Sequence, residues 1–364
     1  MIILKKDMIN LTNVLVLFGG QSTEHEVSLC SVTNVLNKLN PQKYNIIKVG
    51  ITKTGQWLLY EGDNKNIKDG SWENNNVTPA FLSPDASMGL VVLRNGRAEI
   101  KNVDVVFPVL HGACGEDGTI QGLCALAKVP CVGPDMISSA ICMDKTSTKI
   151  MLKDLNIPQA DWITIISSEL SDIGNVVKRI EEKFEYPVFI KPANAGSSVG
   201  IGKSHNKEEL IEHLENAAKV DSKILVEEFI DGREVECAVL GNDDPVASVL
   251  GEIIPDKEFY DYEAKYHSDS KLIIPAPISE TKSNQIREIA KKAFTKIGLK
   301  GMSRIDFFVH KITGDIYLNE INTIPGFTDI SMYPVLMEKT GIGGEMLVDK
   351  LIELAIEEFA GERL

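Results

Sequence analysis

The stretch from Gly301 to Phe327, GMSRIDFFVHKITGDIYLNEINTIPGF, limits what this chain can fold into more than any other. MSRIDFFV and IYLNEIN have the Ile, Phe and Val content of strands. The roughly five residues between them, KITGD, suit a hairpin connection. Pairing His310 with Ile316 sets Asp306 opposite Glu320 and Arg304 opposite Asn322. Side chains alternate faces along a strand, so all four share one face, with directly opposed Cβ atoms about 5 Å apart. Facing carboxylates repel unless positive charge lies between them. Mg²⁺ would supply it, since it takes oxygen ligands from a few carboxylates and from substrate phosphates. Asp306, Glu320 and the Asn322 carbonyl offer three such oxygens. The plainer alternative is a hairpin with a solvated polar face. The break at Thr-Ile-Pro-Gly-Phe favours the functional reading, because functional loops sit at strand ends.

A chain of 364 residues exceeds one core of ordinary size, so two or three domains are expected. The net charge of −14 argues against a nucleic-acid partner. No apolar run approaches the ~18 residues of a membrane span. The start, MIILKKDMIN, places its short apolar run before its lysines, the reverse of a signal peptide. The six cysteines form no CxxC pair and no zinc spacing. They read as reduced thiols in a cytoplasmic enzyme. The polar tract from Gly62 to Val77 reads as a loop inside the first domain.

NVLVLF, Asn13 to Phe18, reads as a strand closed by Gly19-Gly20, and Thr23-x-x-Glu26 fits a capping box for a helix running to about Leu39. A strand, a Gly pair and a helix start make a βα unit whose helix N-terminus can face a ligand. Glu24 falls in the first turn, where a carboxylate also simply complements the helix dipole. Tyr44–Thr52 and Val103–Gly112 read as further strands, the latter apolar enough for a buried parallel strand. It runs into His111-Gly-Ala-Cys-Gly-Glu116, and ligands bind at such carboxyl ends.

MDKTSTKIML opens a helix carrying Lys145. Tyr186–Pro192 reads as a strand ending in Lys191, followed by the small-residue loop Ala-Asn-Ala-Gly196-Ser197-Ser198-Val-Gly200, whose N–H groups can cover phosphates. Gly202-Lys203-Ser204 before a helix looks like the end of a P-loop, but that pattern needs Gly where Ser197 stands. Asn206 caps the next helix, with Leu210, Leu214, Ala217 and Ala218 on one face. Glu227, Glu228 and Glu234 crowd the strand that follows. Phe259–Lys271 is an aromatic, charged loop. Ile286, Ile289, Ala290, Ala293 and Ile297 line the core face of a helix capped by Gly298.

FGGQSTEHEVSL, FPVLHGACGEDGTIQG, MDKTSTK, FIKPANAGSSVGIGK, FYDYEAKYHSD, MSRIDFF and LNEINTIPGFTDISMYP, in this order along nearly the whole chain, resemble the motif series of the D-alanine–D-alanine ligases of the ATP-grasp superfamily. The resemblance implies an α/β chain with a three-domain ATP-grasp fold. An N-terminal parallel-sheet domain spans 1–133, and ATP lies between a central domain, 134–226, and a C-terminal one, 227–364. It also implies roles. Lys145 and Lys191 resemble the phosphate-contacting lysines, with Ser198 in the loop above. Glu227 and Glu234 resemble the adenine and ribose contacts, and Phe229 stands where many relatives have Trp beside adenine. Asp306, Glu320 and Asn322 resemble the ligands of two Mg²⁺ ions, for which Mn²⁺ can substitute. Glu24 resembles the partner of the first D-alanine's ammonium, in a triad with Ser197 and Tyr266, and Lys265 lies on the closing loop. Arg304 and the Gly326 N–H resemble an oxyanion hole. Ser331 resembles the group holding the second substrate's carboxylate, with His111 and Glu116 lining that pocket.

The implied reaction is ATP-dependent formation of D-alanyl-D-alanine through an acyl phosphate, for peptidoglycan precursors, by a cytoplasmic homodimer without nucleic-acid or membrane partners. Tyr266 and Met332 resemble the D-alanine-specific branch. A sister ligase making D-alanyl-D-serine or D-alanyl-D-lactate is the nearest alternative. A non-catalytic two-lobed sensor and a P-loop phosphotransferase are the others.

Overall fold

The computed structural model describes residues 11–196, 199–254 and 271–361. Expectations for Ser197, Ser198, Lys265 and Tyr266, and for nearly all of the 259–271 loop, lie outside them.

Three sheets organise the chain. The first runs β6-β5-β4-β3-β2-β1-β7. Its strands are β1 (Thr12–Gly19), β2 (Tyr44–Ile51), β3 (Trp57–Tyr60), β4 (Val77–Leu82), β5 (Leu90–Arg94), β6 (Arg97–Lys101) and β7 (Val105–Val109). β1 pairs in parallel with β2 and with β7, the strand whose apolar run predicts parallel pairing. The remaining strands extend the sheet antiparallel, so it is mixed rather than parallel. Val14, Val16 and Phe18 face one core and Leu15 and Leu17 another, which is why every position from 14 to 18 is apolar.

The 62–77 tract is not a plain loop. It holds a helical turn, α2 (Lys65–Lys68), and a 3₁₀ turn, and it buries Ile67 and Trp72 completely. Trp72 packs edge-on against Phe18 at 4.9 Å between ring centroids. Two apolar residues in a polar tract carry no periodicity, so the pattern hid them.

The second sheet, β10-β9-β11-β8, is antiparallel: β8 (Trp162–Ile166), β9 (Val188–Pro192), β10 (Gly202–Ser204) and β11 (Lys223–Glu228). Helix α7 (Lys207–Ala218) covers it with Leu210, Leu214 and Ala217, and its Asn206 cap accepts from the Glu209 N–H at 2.9 Å. Gly202–Ser204 is a strand, not a phosphate loop entering a helix.

The third sheet, β14-β13-β12-β15-β16, comprises β12 (Gly232–Gly241), β13 (Val246–Ile254), β14 (Lys271–Ile273), β15 (Gly301–His310) and β16 (Ile316–Asn322). Ile305, Phe307 and Val309 of β15 share one core with α8 (Glu280–Ile297), α4 (Met136–Met143) and α5 (Lys145–Asp154). Its even-numbered Met302 joins a core that also contains Val14, Phe107 and Leu351. That core is closed by α9 (Met332–Lys339) and α10 (Gly344–Gly361) against α1 (His25–Lys38) and β7.

The β15–β16 hairpin forms, with one correction. Val309, not His310, pairs with Ile316. A bulge at Asn319 then shifts the ladder by one residue, restoring Asp306 opposite Glu320 and Arg304 opposite Asn322. Without the bulge Asn319 would face Asp306.

Candidate active site

A cleft of about 690 Å³ is lined by all three sheets. Glu24, His111 and Glu116 come from the first, Lys145, Lys191, Glu227 and Phe229 from the α5 and second-sheet side, and Glu234, Arg304, Asp306, Glu320, Asn322 and Gly326 from the third-sheet side.

Glu24 is the N-cap residue of α1, one place later than the capping-box reading. Its side chain caps nothing; the Ser22 hydroxyl accepts from the Glu24 N–H at 3.1 Å, and Glu26 turns out to Lys53. The carboxylate is buried against two glycines. A Cβ at Gly112, whose φ is +71°, would lie 2.5 Å from Glu24 Oε2, and one at Gly196 would lie 2.8 Å from it. The tight loops after β7 and β9 close on this carboxylate, and a side chain at either position would occupy its space.

At the other end, Glu227 is buried between two lysines. Lys149 Nζ lies 2.5 Å and Lys191 Nζ 2.6 Å from its oxygens. Burial alone would raise this carboxyl, but the two lysines hold it down at about 2. Lys191 also donates to Asn319 Oδ1 at 3.2 Å, at the bulge. Lys145 Nζ donates to the Ala195 carbonyl at 2.7 Å, tying α5 to the residues just after β9. Phe229 is partly exposed, with Phe189 at 6.1 Å between ring centroids and Lys203 Nζ 4.4 Å above its ring.

Along the third sheet, β12 pairs Glu236 with Asp306, and β15 pairs Asp306 with Glu320, so one rung carries three carboxylates. Arg304 makes this tolerable. Its Nε and Nη2 donate to the two Asp306 oxygens at 2.8 Å each, and its Nε lies 3.0 Å from Glu236. Burial would lower the Arg304 pKa, but the facing acids reverse this and keep the guanidinium charged. Asn322 Nδ2 donates to Asp306 Oδ2 at 3.0 Å. The charge between the acids is therefore an arginine in part, which the bare carboxylate pair of the sequence reading did not include.

His111 and Glu116 do face the cleft, and both also hold the segment after β16. His111 Nδ1 lies 3.1 Å from the Ile324 carbonyl, and Nε2 lies 2.9 Å from Ser31 Oγ. Burial pushes its pKa down, so the ring is neutral. Glu116 accepts from the Gly112 N–H at 2.7 Å and the Ile324 N–H at 3.3 Å. Burial, and then the nearby Glu24, push its carboxyl up to about 8.

Two expected substrate contacts stand back from the cleft wall. The Ser331 hydroxyl accepts from the Thr328 N–H at 3.0 Å, beside Gly326. Met332 is buried in the core, where its methyl packs on Gly251. As the first residue of α9 it turns toward β13, because the helix lays its apolar face there. The structure adds Lys149, Glu236 and Asn319. Lys149 sits one turn after Lys145 on one helix, and Glu236 two places after Glu234 on one strand face. Both spacings were readable.

Hard oxygen donors on one face, with lysines across the cleft, suit a divalent cation shared with phosphates. Among the described residues no group of three or more His, Cys, Asp or Glu side chains is arranged to hold a metal unaided. All six cysteines are free thiols, and among the described residues no helix is long and apolar enough to cross a membrane.

Family models for the D-ala D-ala ligase N-terminus and C-terminus match residues 13–134 and 151–353. The chain is similar to a D-alanine–D-alanine ligase of Acetivibrio thermocellus, 52% identical over 95% of this chain and 96% of that one. It is similar to D-alanine–D-alanine ligase B of Clostridium tetani, 52% identical over 94% of this chain and 93% of that one. Among solved structures it resembles the VanG D-Ala:D-Ser ligase from Enterococcus faecalis, with TM-score 0.87 and 40% identity over 95% of this chain and 99% of that one. It also resembles the D-alanine–D-alanine ligase of Coxiella burnetii, with TM-score 0.84 and 36% identity over 97% of this chain and 96% of that one. With both halves matched and half its residues shared with full-length relatives, this chain belongs to the D-alanine–D-alanine ligase family of ATP-dependent enzymes.

Proposed function

We propose that this chain joins two D-alanines, with cleavage of ATP to ADP and phosphate. The observation that carries the proposal is one cleft lined by the buried carboxylate of Glu24, by Lys145 and Lys191, and by the Asp306–Glu320 rung with Arg304 beside it. Three lobes, 1–133, 134–226 and 227–364, frame it in this reading.

Glu24 pairs with the ammonium of the first D-alanine and orients its carboxylate toward the phosphates. Lys145 and Lys191 bind phosphate oxygens. Glu227 meets the adenine edge, with Glu234 at the ribose and Phe229 against the base. Asp306, Glu320 and Asn322 hold Mg²⁺, or Mn²⁺ in its place. The cation, when bound, neutralises phosphate charge. The γ-phosphoryl group moves to the D-alanine carboxylate, giving an acyl phosphate and ADP. The neutral amine of the second D-alanine attacks the acyl carbon, the amine proton is lost and phosphate leaves. Arg304 and the Gly326 N–H receive the oxyanion, each worth of order 10²–10³ in rate. His111, Glu116 and Ser331 shape the second pocket. Ser197, Tyr266, Ser198 and Lys265 complete the reading from sequence alone.

The test is phosphate release with D-alanine alone, then with D-serine or D-lactate added. Release that saturates with D-alanine and matches dipeptide formation supports the reading. Preference for D-serine as second substrate would favour the sister activity, to which the VanG likeness points.

A further inference from the structure

Residues 323–327 carry the Gly326 N–H, and the N-terminal sheet and its helix lace them in place. Thr323 Oγ1 donates to the Glu116 carbonyl at 3.3 Å, and Glu116 and His111 take the two polar groups of Ile324. The peptide groups of Phe327 go to α1. Its N–H donates to Ser31 Oγ at 3.2 Å, and its carbonyl accepts from Asn34 Nδ2 at 2.6 Å. Ser31 and Asn34 are three residues apart, so they share one helix face, and both are buried. Neither lines the cleft.

The directions of these bonds follow from valence. The Phe327 N–H can only donate, so Ser31 Oγ accepts there, and its own proton is free to go to His111 Nε2 at 2.9 Å. His111 Nε2 then accepts, which leaves the ring proton on Nδ1, pointing at the Ile324 carbonyl at 3.1 Å. One hydroxyl thus fixes both the tautomer of His111 and the amide following Gly326.

We propose that Ser31 and Asn34 are positioning residues for the second half of the reaction. They set the aim of the Gly326 N–H at the acyl carbon's oxygen without touching substrate. This rests on the ligase reading and on Gly326 serving as oxyanion donor. A donor displaced by about 1 Å costs up to 10² in rate. Acyl phosphate formation does not depend on this donor, so a misaimed Gly326 leaves the intermediate waiting. Water then attacks at phosphorus, where no acyl oxyanion forms; the P–O bond to the acyl oxygen breaks, returning D-alanine and phosphate without dipeptide.

The test is the ratio of phosphate released to dipeptide formed, in the full-length enzyme with ATP, Mg²⁺ and D-alanine. Wild type should give one. Ser31→Ala should lower dipeptide kcat by about 10- to 100-fold, leave the KM for ATP within about 2-fold, and raise the ratio well above one. ¹⁵N spectra of its histidines should show His111 leaving the pure Nδ1–H form. Asn34→Leu releases the Phe327 carbonyl but not His111, so it should raise the ratio while His111 keeps its tautomer. Ser31→Thr keeps the hydroxyl and should return the ratio toward one. A merely structural role would lower phosphate and dipeptide together, at a ratio of one, with a depressed Tm. That result, or wild-type turnover in both Ser31→Ala and Asn34→Leu, overturns the proposal. If wild type releases no phosphate when D-alanine is added, the ligase reading fails first.

Discussion

Replacing Glu227 by Gln keeps its shape and removes the one negative charge between Lys149 and Lys191. Two routes give the magnitude. The carboxyl is held at about 2 against an ordinary 4.5. At about 1.4 kcal/mol per pH unit, that linkage is worth about 3 kcal/mol. Independently, a buried ion pair that loses one partner typically costs about 3–5 kcal/mol. The sign follows from the depressed pKa. The contribution is fully present above pH 4.5 and is lost as pH falls through about 2. For 364 residues, about 3 kcal/mol lowers Tm by about 4 °C, more if the second and third sheets melt apart from the first. Lys149→Met should cost less, because Lys191 stays with Glu227 and the site becomes neutral. The assay is calorimetric melting of wild type and both variants from pH 8 to pH 3, without nucleotide. A Glu227→Gln variant melting within about 1 °C of wild type at pH 7 would refute the reasoning, as would a gap that does not narrow below pH 4.5.

Three further outcomes are expected. Asp306→Asn or Glu320→Gln should lower kcat by more than about 10² with the fold intact, since Arg304 keeps Glu236 as partner; near-normal turnover in both would remove the metal assignment from the hairpin. Glu24→Gln should raise the KM for the first D-alanine by about 10² or more and leave ATP binding unchanged, read from initial rates against each substrate. Glu116 has a raised carboxyl, so its stabilising contribution is full below about pH 4.5 and lost as pH rises through about 8. Glu116→Gln abolishes that titration, and its Tm should fall less than wild type's between pH 6 and pH 9; parallel curves would show that Glu116 does not titrate there.

The elements that position the cleft were legible where a single period ran unbroken. The apolar run of β1, the face of α7 and the alternation of β15 each announce themselves. The rung Asp306–Glu320 was legible too, although its register rests on a bulge at Asn319 that nothing in IYLNEIN signals. What the sequence hid is long-range. Lys149 reads as one more helix lysine until Glu227 arrives from β11. Glu236 reads as a strand acid until Arg304 lies beside it. Met332 follows Ser331 in a motif, but helix packing turns it into the core. β3 to β6 escaped notice because short, half-exposed antiparallel strands lack the continuous apolar signal of β1.

The core shared by β1, β7 and α10 has a consequence for synthesis on the ribosome. Phe18 and Phe107 leave the exit tunnel early, whereas Leu347, Leu351 and Ile352, which cover the same core, come last. About 235 residues separate the end of the first sheet from α10, roughly 10–50 s at ordinary elongation rates. Through that interval the nascent first sheet has α1 on this apolar face but not α10. Lys43 and Tyr44, which later clasp Asp349, have no partner yet made. Emergence of α10, rather than of the first 133 residues, therefore completes the cover on this core, and a ribosome stalled before residue 344 should hold a nascent chain that chaperones still bind.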